Sequence, residues 1–147
     1  MSDPLHEAFL ATRYRVQLEG RWIDTRIGQP SPQLATWLAA QACAAASLIS
    51  ARNPQGRALE EAANLVREAQ LLAQLADSGL QPLPAEGVAD DGRWHEPSFW
   101  VPGLHGAQCR AVMQCFDQLA WVEYDAAGRA RLRWTRDPIP EDTNPCR

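Results

Sequence analysis

Hydrophobic and polar positions alternate along the chain soon after its start, which predicts β-structure. Alternating runs cover residues 14–19 and 22–27. Gly20 lies between them and can take the positive φ that a tight turn requires. The two runs are therefore expected to form a hairpin, preceded by a short helix over residues 3–12.

Three further segments carry apolar residues at helical spacing. The first starts after Ser31, which can cap a helix that has Pro32 at its first position. The second runs from about residue 57 to 78, where Gly79 fits a left-handed stop. The third covers about residues 105–118. The stripe of the second helix that we expect to face the core consists of Ala58, Ala62, Leu65, Ala69, Leu72 and Ala76.

The remaining apolar runs predict strands. Residues 46–51 and 98–103 are suited to buried strands, and residues 80–84 suggest an extended piece. Residues 85–94 (AEGVADDGRW) have the composition of a loop. Near the end, LAWVEY and RARLRW flank the turn DAAG and predict a closing hairpin.

This order of elements, α-β-β-α-β-α-β-β-α-β-β, defines the expected fold class. It predicts a single α+β domain, with a mixed or mostly antiparallel sheet packed against about four helices. We expect residues 1–134 to form the domain. Residues 135–147 are proline-rich and polar, so we expect them to form a flexible tail.

Composition and charge narrow the classes of function. The chain has 147 residues, 46% of them hydrophobic, which suits one globular domain. Its formal net charge is −4, so nucleic-acid binding is not expected. No apolar run reaches the roughly 18 residues that a membrane span requires, and the start does not read as a signal peptide. A cytoplasmic protein without membrane association is therefore expected.

Several stretches taken together resemble the DUF3293 family of uncharacterised bacterial proteins. They are TRYRV, IGQPSP, SARNP followed by EEAAN, the LLAQLADSGLQPLPAEG run, WHEPSFWVPG and FDQLAWVEY, within about residues 9–124. Two stretches depart from the family pattern. Residues 50–54 read SARNP where the family has a pattern nearer TAWNP, and residues 116–120 read FDQLA in place of FGQNA. The resemblance implies a fold and leaves the activity open.

Polar side chains recur at loop positions within these motifs, where open sheets usually present ligands. If strands 46–51 and 98–102 are neighbours, the loops around Asn53 and Glu96 line one cleft. We expect a small ligand there, and an anionic or nucleotide-like molecule would suit an arginine and two amides. The expected ligand-binding residues are Arg13, Asn53, Asn64, Glu86, Trp94 and Glu96.

Three of these candidates also have a purely structural explanation. Asn53 precedes a proline and can form a turn. Asn64 is unfavourable within a helix, and it can hydrogen-bond an adjacent loop such as that of Asn53. Trp94 can stack on a ligand ring or anchor its own loop against the core.

The two glutamates, Glu86 and Glu96, suggest paired carboxylates for acid–base catalysis. Each also precedes a turn residue and can accept backbone N–H groups instead, and Arg13 is a natural ion-pair partner for either. No nucleophile elbow or phosphate-binding motif is present. The catalytic residues, and whether the protein is an enzyme, stay undetermined.

Histidine and cysteine spacing predicts no metal site and no cofactor. The three histidines form no cluster, and the four cysteines show no C-x-x-C spacing. Two functions remain open at this stage. One is a small-ligand domain, and the other is a non-catalytic regulatory or protein-interaction module, which the six tryptophans favour because aromatic residues anchor interfaces.

Overall fold

The computed structural model describes residues 3–137, so most of the expected tail, residues 138–147, lies outside the described residues. Four helices are present in this range: α1 Pro4–Leu10, α2 Pro32–Ala40, α3 Glu61–Asp77 and α4 Gly106–Cys115. Seven strands accompany them: β1 Thr12–Leu18, β2 Arg21–Thr25, β3 Ala46–Ile49, β4 Leu83–Ala89, β5 His95–Pro102, β6 Ala120–Tyr124 and β7 Ala130–Trp134. A 3-10 turn, Pro54–Gly56, follows β3. The predicted order of helices and strands is confirmed.

The seven strands form one sheet in the order β2-β1-β4-β5-β3-β6-β7, and every strand pair is antiparallel. The sheet is curled, because Ile27, just after β2, forms a single parallel bridge with Ala130 of β7. The Thr25 hydroxyl donates to the carbonyl of Tyr14 and therefore accepts the Tyr124 hydroxyl, whose oxygen is 2.7 Å away. The α+β class with a mostly antiparallel sheet and four helices is confirmed.

Each face of the sheet has its own apolar core, because successive strand residues point to opposite faces. Leu48 and Trp100 belong to one core, to which α2 contributes Leu34 and Leu38. The adjacent residues Ile49 and Val101 belong to the other core, with side chains of α3 and α4: Leu71, Leu75, Cys109, Val112 and Met113. We call the first side the α2 face and the second the α3 face. Within residues 3–137, no helix is long and apolar enough to cross a membrane.

The prediction of a loop over residues 85–94 is wrong for its first half. Strand β4 extends to Ala89 and pairs with both β1 and β5, so it lies inside the sheet. Small residues at positions 85 and 87 make this strand resemble a loop in sequence. Strand β5 also starts three residues early, at His95, so the stretch HEP belongs to a strand.

The predicted buried stripe of α3 is wrong. Leu65, which belongs to that stripe, has 51% of its surface exposed, whereas the buried residues of α3 are Asn64, Leu71 and Leu75. Four of the six residues in the predicted stripe are alanines, which bury little surface. Two leucines on the neighbouring face bury more apolar area and therefore decide the orientation of the helix.

Candidate functional site

A cavity of about 380 Å³ lies on the α2 face of the sheet, beneath helix α1. The lining side chains are mostly apolar: Leu5, Ala8, Phe9, Leu48, Leu119 and Val122. Its polar lining includes Ser50, Asn53 and Glu96. An apolar pocket with a few converging polar groups is the usual form of a small-molecule site.

Gly87 creates the space at the floor of this cavity. In the sheet, Tyr14 of β1 lies opposite Gly87 of β4, which in turn lies opposite Glu96 of β5. All three residues line the cavity, and only the middle one has no side chain. A Cβ atom at Gly87 would lie 3.5 Å from the Tyr14 ring, an ordinary contact. The glycine therefore leaves a methyl-sized slot beside the Tyr14 ring, on the strand between the phenol and the carboxyl group.

Glu96 is the titratable carboxyl group of the cavity. Burial raises its pKa to about 7, and this effect outweighs the Asn53 hydrogen bond, the Arg52 charge and the Ser50 hydroxyl, which lower the pKa. In the described part of the chain, none of the ion pairs involves Glu96. The group is therefore present in both protonation states near neutral pH.

Asn53 holds Glu96 in place and is itself held by three hydrogen bonds. Its Nδ2 atom donates to Oε1 of Glu96 over 3.1 Å. Its Oδ1 atom accepts from the backbone N–H of Leu59 and from Nδ2 of Asn64, each over 3.0 Å. Its backbone N–H donates to Oδ1 of Asn64, also over 3.0 Å. The predicted bond between Asn64 and the Asn53 loop is confirmed, and it fixes the orientation of the Asn53 amide.

Arg52 supplies the positive charge that lowers the Glu96 pKa, but its guanidinium is already paired. It donates from Nε to Oε2 of Glu68 over 2.8 Å and from Nη1 to Glu61. These two carboxylates belong to α3, so the pairs tie the segment after β3 to that helix. Arg52 therefore perturbs Glu96 electrostatically and leaves its carboxyl group available.

Trp94 lies two residues before Glu96, lines the cavity and has 41% of its surface exposed. Helix α1 covers the cavity with Leu5, Ala8 and Phe9 and buries none of its residues fully. It is attached to the start of β1 by a 2.8 Å hydrogen bond from the Thr12 hydroxyl to the carbonyl of Ala8. The cavity thus has a rigid floor of strands and a short helix as its roof.

Three of the six expected ligand-binding residues, Asn53, Trp94 and Glu96, line the cavity. Asn64 lies behind Asn53 and reaches the site only through it. Arg13 and Glu86 do not line the cavity, because they alternate with Tyr14 and Gly87 and point to the opposite face of the sheet.

On that opposite face, Arg13 and Glu86 belong to a network of charges that is exposed at Arg13 and partly buried at Glu86. Nη1 of Arg13 lies 3.3 Å from Oδ2 of Asp24. Glu86 accepts from Nη1 of Arg15 over 2.8 Å, and its Oε1 lies 2.9 Å from Nε2 of His95. Burial acts to raise the Glu86 pKa, but the bonds from His95 and Arg15 outweigh it and leave the pKa below its usual value. Glu86 and Glu96 therefore do not form a carboxylate pair in one site.

The expected site omitted several lining residues. Among them are Tyr14, Ser50, Gly87, Gln118 and Leu119. A glycine inside a strand often marks the close approach of a ligand or another backbone. Gly87 would therefore have indicated the site if residues 83–89 had been recognised as a strand. In the residues that the structure describes, no group of three His, Cys, Asp or Glu side chains could hold a metal ion.

Comparisons with known proteins agree with the motifs. A family model described as "Protein of unknown function (DUF3293)" matches residues 49–121. The match includes Asn53, Gly87 and Glu96, and it ends before β7. No curated protein and no solved structure matches the chain.

Proposed function

The chain is a member of the DUF3293 family, a family of unknown function, and from the geometry of its cavity we propose that it binds a small, largely apolar ligand. The ligand would lie between α1 and the sheet and place one polar group against Glu96. The observation that carries this proposal is a cavity of about 380 Å³ with an apolar lining and one buried carboxyl group. This volume lies at the lower end of the range of about 300–1,000 Å³ that is usual for small-molecule sites.

The lining favours a neutral ligand over an anionic one. The expectation of an anionic or nucleotide-like molecule depended on Arg13, which is paired with Asp24 on the opposite face. The lining contains no arginine, and its one acidic side chain is Glu96. An anion in the cavity would meet the repulsion of the Glu96 carboxylate in a region of low dielectric. A neutral group can accept from the protonated acid or donate to the carboxylate.

Benzamide and benzoate test this proposal, since they share one ring and differ in charge. Titration of ¹⁵N-labelled protein with each probe is monitored at the signals of Asn53, Gly87 and Trp94. We expect benzamide to shift these signals and benzoate to bind at least about tenfold more weakly at pH 8. Gly87→Val fills the slot without removing a hydrogen bond, so it should abolish both sets of shifts.

Glu86→Gln is the matched control, because it neutralises a carboxylate on the opposite face and should leave the binding of benzamide unchanged. The proposal is overturned if neither probe shifts the cavity signals of the wild-type protein. It is also overturned if Gly87→Val retains the same shifts, since the probes would then bind elsewhere.

A protein-interaction role is the second candidate. It is supported by the exposed apolar residues Leu65 and Val66 on α3, with 51% and 58% of their surfaces exposed. The tryptophans support it less, because only Trp22 and Trp94 of the six are among the exposed large hydrophobic residues. Light scattering of the wild-type protein and of a variant with Leu65 and Val66 replaced by glutamate tests this role. A self-associated wild type that the replacement makes monomeric, with benzamide binding intact, would favour it.

A further inference from the structure

We propose that the cavity catalyses proton transfer next to a carbonyl group, with Glu96 as the general base and the Tyr14 hydroxyl as the hydrogen-bond donor to the carbonyl oxygen. This inference rests on the proposed function and names its substrate class: small carbonyl compounds with an apolar frame and an acidic C–H bond. The observation that carries it is the placement of a carboxyl group and a phenol on either side of Gly87.

The spacing of the two groups suits such a substrate. Neighbouring strands lie about 4.8 Å apart, so the Cα atoms of Tyr14 and Glu96 are separated by about 10 Å across β4. Both side chains line the same cavity. A Cβ atom at Gly87 would already contact the Tyr14 ring at 3.5 Å, so the room for a small molecule is the cavity that both side chains line. A molecule in this cavity would meet the acid with one atom and the phenol with another.

Glu96 has the properties of a base that abstracts a proton from carbon. Its carboxyl group is oriented by Asn53, which donates to Oε1, and by the Ser50 hydroxyl. Burial raises its pKa to about 7, which makes its carboxylate a stronger base than an exposed one and still populates it at neutral pH. Two charged or titratable groups interact with Glu96. The charge of Arg52, on the segment after β3, lowers the Glu96 pKa, and the charge of Glu96 raises the pKa of Tyr14 on β1.

Tyr14 has the properties of a donor that stays protonated. Burial raises its pKa well above the usual value, and the hydroxyl therefore keeps its proton when a base works beside it. Its bond to the carbonyl oxygen of Phe9 is long, at 3.4 Å, and the Thr12 hydroxyl is a second partner. A substrate oxygen that carries developing negative charge is a better acceptor than the distant Phe9 carbonyl and would replace it.

The reaction step balances without a cofactor. The C–H bond next to the carbonyl breaks, its proton passes to the carboxylate of Glu96, and the electron pair forms the C=C bond of an enolate. The negative charge moves to the carbonyl oxygen, which the Tyr14 hydroxyl stabilises. When the proton on Glu96 exchanges with solvent deuterium, delivery of that deuteron to the same carbon gives exchange, and delivery of either to a conjugated carbon gives an isomer.

Cyclohexanone in D₂O is the probe for this activity, because ¹H NMR measures the loss of its α-hydrogens directly. We expect the wild-type protein to accelerate the exchange over buffer, with a rate that rises with pH around a midpoint near 7. Glu96→Gln and Tyr14→Phe should each lower the protein-dependent rate by at least about tenfold. Glu86→Gln, on the opposite face, should keep the wild-type rate, and chemical shifts in the same samples report binding.

Each outcome decides the proposal. Exchange no faster with the wild-type protein than with Glu96→Gln overturns the proton transfer, and the proposed function stands if cyclohexanone still shifts the cavity signals. Binding of benzamide without binding of cyclohexanone overturns the carbonyl class alone. If neither probe binds, the proposed function fails as well. An unchanged rate for Tyr14→Phe removes the hydroxyl from the mechanism.

Discussion

The side-chain amide of Asn53 donates to the carboxyl group of Glu96 over 3.1 Å, although the two residues are 43 positions apart in the chain. Asn53 has a φ of 51°, in the left-handed region that asparagine tolerates better than most residues. Its oxygen is occupied by Leu59 and Asn64, so its nitrogen must face Glu96. These hydrogen bonds thus fix the turn after β3 in the conformation that directs the Asn53 amide to Glu96.

Removal of Asn64 should loosen this arrangement. Asn64→Ala deprives Asn53 of a partner for its backbone N–H and of one for its side-chain oxygen. We expect the free energy of unfolding to fall by about 1–3 kcal/mol, measured by urea denaturation. We also expect the Glu96 pKa to rise, because the Asn53 bond that lowers it is weakened. Gln70→Ala, at an exposed position of the same helix, is the control and should change neither quantity.

Glu96 should make the stability of the protein depend on pH. Its pKa is about 7 in the folded protein against an ordinary value of 4.5, so the folded state holds this proton more tightly than the unfolded state. The stabilising contribution is complete below pH 4.5 and is lost as the pH rises through 7. We expect a loss of up to about 3 kcal/mol in the free energy of unfolding between pH 5 and 8.

Urea denaturation across this pH range, with wild type and Glu96→Gln compared, measures the effect. Glutamine keeps an oxygen for Asn53 but cannot ionise, so the fall in stability should disappear. Glu86→Gln should retain the fall, because the Glu86 pKa is lowered and that group titrates below this range. Equal pH dependence in wild type and Glu96→Gln would falsify the elevated pKa.

Local sequence signals were sufficient for most of the fold. Alternation predicted the strand pairs at both ends of the chain, and Ser31 caps α2 as expected, with its Oγ accepting from the backbone N–H of Leu34. The order of elements follows from such signals, whereas the pairing of β3 with β5 was only assumed as a condition, and the structure meets it. This pairing is the condition on which the approach of Asn53 and Glu96 depended.

The lining residues that the sequence analysis did not predict come together through contacts between strands that are distant in the sequence. Gly87 and Tyr14 enter the cavity because β4 lies between β1 and β5, and no pattern within β4 specifies its neighbours. Arg13 does not line the cavity, for the same reason. Its face of the sheet is decided by strand register, and a shift of one residue reverses the face.

Substitution of two leucines of α3 tests which face of this helix is buried. Leu71 has no exposed surface, whereas Leu65, six residues earlier, is half exposed. Leu71→Ala should lower the free energy of unfolding by about 2–5 kcal/mol, because it leaves a cavity in the α3-face core. Leu65→Ala removes the same atoms and should cost less than about 1 kcal/mol. Urea denaturation compares the two, and equal losses would contradict the orientation of the helix.

Two glycines should respond in opposite directions to alanine. The φ of Gly128 is 71°, and a Cβ atom there would come within 2.2 Å of the backbone oxygen of Ser31, at the start of α2. Gly128→Ala should therefore cost more than about 2 kcal/mol, from the strained φ and the collision together. Gly87 is not among the residues with positive φ, and its added Cβ would make only ordinary contacts with Tyr14 and Thr12.

Gly87→Ala should accordingly keep or raise the free energy of unfolding, by up to about 1 kcal/mol, because alanine restricts the unfolded chain more than glycine does. The same methyl group occupies the slot between Tyr14 and Glu96, so binding of benzamide should weaken while stability does not. Parallel urea denaturation and NMR titration separate the two effects. If Gly87→Ala loses both stability and benzamide binding, Gly87 serves the packing of β4. If it loses neither, the ligand does not lie in the slot.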